Sequence, residues 1–129
     1  MSANPNLAVQ ERFVAAVFAG DADTLRELAA PDFVLLEGSG LPFEPSYSGA
    51  EGFLRFLTAF AATFDIEVLA PVRSFASEDP DVIAFEFELK ATDRATGKRF
   101  ETSLIEVWTF REGKVAALKP HYFNVPKRP

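Results

Sequence analysis

The sequence has no cysteine, which removes disulfides, thiol nucleophiles and cysteine-ligated metals from consideration. It has one histidine, His121, so sites built from two or more imidazoles are excluded, and one histidine among scattered glutamates does not make a metal site. No metal and no other cofactor is expected. No eighteen apolar residues run together, and the opening MSANPNLAVQERF lacks a basic segment followed by an apolar one. Neither a membrane span nor an export signal is legible, and a cytoplasmic protein is the default. Positive charge is scarce: 13 Lys and Arg against 19 Asp and Glu leave a formal net charge of −6. That balance argues against nucleic acid or an anionic membrane as a partner. No G-x-G-x-x-G, Walker loop or H-E-x-x-H occurs, and Ser39, Ser46 and Ser48 lie outside any G-x-S-x-G elbow, so these serines read as turn and cap residues.

What is abundant is phenylalanine, 14 residues against one Trp and two Tyr, giving bulky walls with few polar handles. At 129 residues, 48% of them hydrophobic, the chain reads as one domain, 1–129, with room for a single core and none for a second. The tail Val125 to Pro129 is expected to fray.

Along the chain, Leu7 to Ala19 carries Phe13, Val14, Val17 and Phe18 at helical spacing, with Pro5 near the first turn and Gly20 beyond the end. Asp21 can cap a second helix that Pro31 stops. Phe33 to Glu37 predicts a short strand, followed by a Gly- and Pro-rich loop to Tyr47 with apolar Leu41 and Phe43. Ser48 and Glu51 form an S-x-x-E capping box for a third helix, whose buried face is Phe53, Phe56, Leu57, Phe60 and Phe64. The period then changes from helical to alternating. Ile66 to Phe75, Val82 to Lys90, Phe100 to Phe110 and Val115 to Asn124 predict four consecutive antiparallel strands, the last two joined by the turn Glu112-Gly113. Helices first and strands afterwards give an α+β layer fold.

Within FETSLIEVWTF, alternation puts Glu106 on one face with Leu104 and Trp108, while Glu101, Ser103 and Thr109 take the other. An acid inside an apolar stripe must find a donor, find a cation or keep its proton; the alternative is a glutamate exposed at a pocket rim. Glu37 ends the stripe of Phe33 and Leu35 in the same way. Two acids in different environments suit proton transfer, and here Glu106 is expected to stay neutral and Glu37, nearer the loop and water, to stay ionised. Strand parity turns Leu118, Pro120 and Tyr122 inward and His121 outward, so His121 reads as a solvated or interface residue.

In this order of elements, with FVAAVFAGDADTLRELAAPDFVLLEG at the front, YSGAEGFLRFL before the third helix and EVWTFREGKVAALKPHYF at the end, the chain resembles the nuclear transport factor 2-like superfamily. Its nearest kinds there are the SnoaL-like and ketosteroid-isomerase-like members. The resemblance implies a cone, an α+β roll of cystatin type in which a curved antiparallel sheet wraps three N-terminal helices. It also implies a deep apolar pocket and a homodimer through the sheet's outer face. It places Glu37 where the isomerases carry their aspartate base and Glu106 where they carry the protonated aspartate of the oxyanion hole. Phe13 and Leu57 stand where those enzymes have tyrosines, which leaves Tyr122 and Tyr47 as the tyrosines able to donate. The pocket walls expected from it are Phe13, Val17, Phe53, Leu57, Phe85, Phe87, Leu104, Trp108, Leu118 and Tyr122. On this reading the protein takes a small apolar organic ligand and works as an isomerase, cyclase or lyase with a glutamate base. A ligand-binding module without chemistry and a dimeric structural protein are the alternatives.

Overall fold

The computed structural model describes residues 4–124; the tail from Val125, expected to fray, lies outside the described residues. Helix α1, Pro5–Ala19, starts where Asn4 caps it by accepting the Asn6 N–H at 3.0 Å, with Pro5 at a first-turn position that needs no N–H. Gly20 closes it in the left-handed conformation, φ 66°. Asp21 caps α2, Ala22–Leu28, accepting from the Thr24 N–H at 3.1 Å and its hydroxyl at 2.6 Å. The helix stops at Leu28, ahead of Pro31, because Ala29 already enters strand β1, Ala29–Leu36. That strand starts four residues before the expected Phe33; an irregularity between Ala29 and Val34 accommodates Pro31, whose missing N–H costs least where the ladder is interrupted.

A three-residue strand, β2, Ser46–Ser48, pairs antiparallel with β1 inside the stretch read as a loop. Helix α3, Gly49–Thr63, follows. Ser48 holds the N-cap position, but its side chain makes no capping bond, and Glu51 instead accepts from Arg26 Nε at 2.6 Å. The expected capping box is therefore not formed; the outward ion pair to α2 takes its acid.

Strands β3 (Phe64–Ala76), β4 (Val82–Asp93), β5 (Arg99–Arg111) and β6 (Lys114–Tyr122) run antiparallel in sequence order. The six strands form one curved, unclosed sheet in the order β2-β1-β6-β5-β4-β3. It is mixed, because β1 lies parallel to β6. A parallel neighbour cannot be reached by a tight hairpin, and here α3 and four strands intervene. Along β4, Ile83, Phe85, Phe87 and Leu89 are buried while Ala84, Glu86, Glu88 and Lys90 are half-buried, the alternation that one covered face demands. Phe13 of α1 sits at the centre of the packing, its ring 5.1 Å from Phe53 and 5.3 Å edge-on from Trp108. On the opposite face of the sheet His121 is exposed, across from Ile105 on β5.

Candidate functional site

The helices and the inner face of the sheet leave a cavity of about 90 Å³. α1 gives it Phe13 and Val17, α3 gives Phe53 and Leu57, and the sheet gives Phe87, Leu104, Trp108, Leu118 and Tyr122, with Glu37 and Glu106 also on the wall. Phe85, expected on that wall, is not part of it. Its ring is turned against Trp108 at 5.4 Å and borders a separate cleft beside α1. Further wall residues went unread in the sequence, among them Val14, Phe18, Leu35, Phe60 and Leu89. Parity was the available signal for Leu35, which shares a face with Glu37, and for Leu89, which shares one with Phe87.

Register brings the two acids to one place. Glu106 on β5 lies opposite Pro120 on β6, and Leu35 on β1 lies beside Leu118 on β6. Two residues further along the parallel pair, Glu37 comes alongside Pro120 from the other side. The acids thus flank one proline, about two strand spacings or ~10 Å apart at the backbone. The next inward residue of β6, Tyr122, brings its hydroxyl to 3.3 Å from both Glu37 oxygens. Tyr47 is committed elsewhere: its hydroxyl oxygen accepts the Glu44 N–H at 3.1 Å.

Glu106 accepts a hydrogen bond from Trp108 Nε1–H at 3.0 Å. Strand parity puts residues two apart on one face, so this partner was within reach of the sequence, where Trp108 was read only as apolar wall. Burial pushes the Glu106 carboxyl up to about 7, against the Trp108 bond, which favours the charged form. Glu37 is likewise pushed up to about 7, first by burial, with the Tyr122 bond opposing and the nearby Glu106 charge adding to the rise. Tyr122 is raised by burial and then by the two carboxylates, so it stays a neutral donor. The expectation of a water-facing Glu37 is therefore corrected: at 5% exposure it is deeply enclosed, because β1 continues its inward face one residue past its end and the loop folds over it through bonds from Glu37 and Gly38 N–H to the Pro45 carbonyl.

Among the described residues no lysine, arginine or histidine lines the cavity. Among the described residues no group of three or more His, Asp or Glu is arranged to hold a metal ion, and no helix is long and apolar enough to cross a membrane. The site is thus an apolar chamber with two carboxyl groups and one phenol at one end, able to hold one proton and release another near neutral pH.

Comparison with known proteins fits this architecture. The sequence profile of the SnoaL-like domain matches residues 10–118. An NTF2-like protein from Burkholderia xenovorans superposes with a TM-score of 0.83 at 20% identity, over 95% of this chain and 92% of that one. A candidate SnoaL-like polyketide cyclase from Mesorhizobium loti gives 0.72 at 18% identity, over 90% and 97%. TerC, crystallised with polyporic acid, gives 0.76 at 17% identity, over 92% and 91%. At these identities the likeness speaks for the fold. No curated protein matches the sequence.

Proposed function

The chain belongs to the SnoaL-like domain family, and from that premise we propose that it is a small-molecule enzyme of isomerase, cyclase or lyase type that moves a proton on an apolar substrate. The observation that carries this reading is the convergence of Glu37, Tyr122 and Glu106 at one end of an otherwise apolar cavity. Two carboxyls that both titrate near 7 can divide the work at neutral pH, one ionised to accept a proton and one neutral to donate. Glu37 takes a proton from the carbon beside a carbonyl, and Glu106 and the Tyr122 hydroxyl hydrogen-bond the oxygen as charge develops there. Fold neighbours described as a candidate polyketide cyclase and a candidate isomerase are consistent with that class of reaction.

The test is deuterium exchange into the α-position of a small ketone, 2-butanone, followed by proton NMR in D₂O. The protein should accelerate exchange over buffer, and Glu37→Gln should lose on the order of 10²-fold or more of that acceleration. Exchange no faster than in buffer counts against the enzyme reading. The alternative, a binding module without chemistry, draws support from the commitment of the Trp108 N–H to Glu106, which leaves few donors; it requires Glu37→Gln to bind the ketone as the natural chain does.

We further infer a homodimer through the outer sheet face. Ile105 and Val107 stand there beside Ala84, Ala117 and the exposed His121, edged by the ion pairs Arg73–Glu86 at 3.2 Å and Lys90–Glu88 at 3.3 Å. Sedimentation should give a dimer mass, and Ile105→Glu a monomer; a monomer mass for the natural chain at micromolar concentration removes the dimer.

A further inference from the structure

The chamber of about 90 Å³ is small beside a cavity of ~150 Å³ that takes a benzene ring. A second cleft of about 490 Å³ lies between α1 and β3, and the two spaces share the side chains of Val14 and Phe18. We propose that they form one bipartite site for an elongated, uncharged molecule. A compact end carrying a hydrogen-bonding oxygen sits in the chamber, and an apolar chain passes Phe18 to lie in the cleft. The proposal rests on the chamber being a ligand site and names the shape of what fills it.

Two features of the fold point to this continuation. Phe18, in the last turn of α1, is 57% exposed although it borders both spaces. An aromatic ring left in water at that threshold gains burial only when something apolar lies against it. On the facing wall, the β3–β4 register shifts between Pro71 and Arg73, so Val72 is an extra residue without a partner on β4. A bulge of this kind re-aims a side chain, and Val72, 44% exposed, lines the cleft with buried Phe85 beneath it. The rim is mixed in sign: Glu11 and Arg73 with Gln10 and Ser74, and Arg73 already paired to Glu86. Among the described residues the chamber end has two carboxyls and no cation. Neither part therefore recruits an anionic group, and the mainly apolar lining of the cleft, with Leu7, Val14, Phe18, Val72 and Phe85, suits an uncharged chain.

The methyl ketones 2-butanone, 2-hexanone and 2-decanone serve as probes, titrated into the nitrogen-15-labelled protein. The short ketone should move the amides of Trp108 and Leu118 only. 2-Decanone should move those of Val72 and Ser74 as well, and affinity should keep rising about threefold to fourfold per added methylene along the series. Val72→Asp, at an exposed position, should weaken 2-decanone at least tenfold and leave 2-butanone unchanged. An affinity that levels off once the chamber is full, or Val72 and Ser74 amides unmoved by 2-decanone, overturns the proposal, and so does failure of every ketone to bind. Proton exchange is read separately: ketones that bind in this length-dependent way without α-exchange would overturn the enzymatic reading and leave the bipartite site standing.

Discussion

The Tyr122 hydroxyl stands 3.3 Å from each of the two carboxyl oxygens of Glu37. One O–H serves both oxygens, donating to one at a time, and it stabilises the ionised form of an acid that burial otherwise drives toward neutrality. The contact crosses from β6 to the end of β1, so it exists only because those two strands lie side by side.

Removing that donor separates its effect from burial. Tyr122→Phe keeps the ring and deletes the hydroxyl, so Glu37 should titrate higher still, by about one unit if the bond contributes as hydrogen bonds to charged groups do. Carbon-13 NMR of the Glu37 carboxyl reads this directly. An unchanged or lowered midpoint would show that the hydroxyl does not hold the carboxylate.

The raised acids also tie stability to pH. Glu37 titrates at about 7 in the folded chain against an ordinary glutamate value of 4.5, so between those values the folded state binds protons more tightly than the unfolded state. Stability therefore falls as pH rises from about 4.5 through 7, by up to about 3 kcal/mol for Glu37. Glu37→Gln carries no such penalty, so its stability relative to the natural chain should improve from pH 5 to pH 8. Glu106→Gln should show the same sense, since Glu106 is raised in the same way. Urea denaturation across this range checks it, and a relative stability independent of pH contradicts the assignment.

Trp108 combines packing with donation: it is 1% exposed and its Nε1–H reaches Glu106 at 3.0 Å. Trp108→Phe should lower unfolding free energy by about 2–4 kcal/mol through the space it leaves and the lost bond. The same change should raise the Glu106 midpoint, which a purely packing role would leave in place.

The turn between β5 and β6 needs positive φ at both residues, Glu112 at 52° and Gly113 at 75°. Gly113→Ala should cost about 1–2 kcal/mol, whereas Glu112→Asn, better suited to that conformation, should be neutral or stabilising by a few tenths. Urea midpoints of the two variants give the comparison, and equal effects would mean the turn does not set the register of β6.

Local periodicity made much of the chain legible. The face shared by Leu104, Glu106 and Trp108, the alternation along β4, the Asp21 cap and the Glu112-Gly113 turn all follow from side-chain direction within a few residues, and the resemblance built on them led to the SnoaL-like domain. What was not legible depended on partners distant in sequence. The strand Ser46–Ser48 is too short to show a period and is held by β1. Ser48 and Glu51 match a capping box, but Arg26 on another helix takes the glutamate. Phe85 has the parity of a wall residue and is turned aside by Trp108. Glu37 looked solvent-facing because glycines and prolines follow it, yet its environment is set by the parallel β1–β6 pair and by Tyr122, 85 residues away. The sequence by itself determined which side chains share a face, since that follows from backbone geometry; only the tertiary structure decided which faces meet, and with them the proton affinity of both acids, because desolvation depends on everything that surrounds a group.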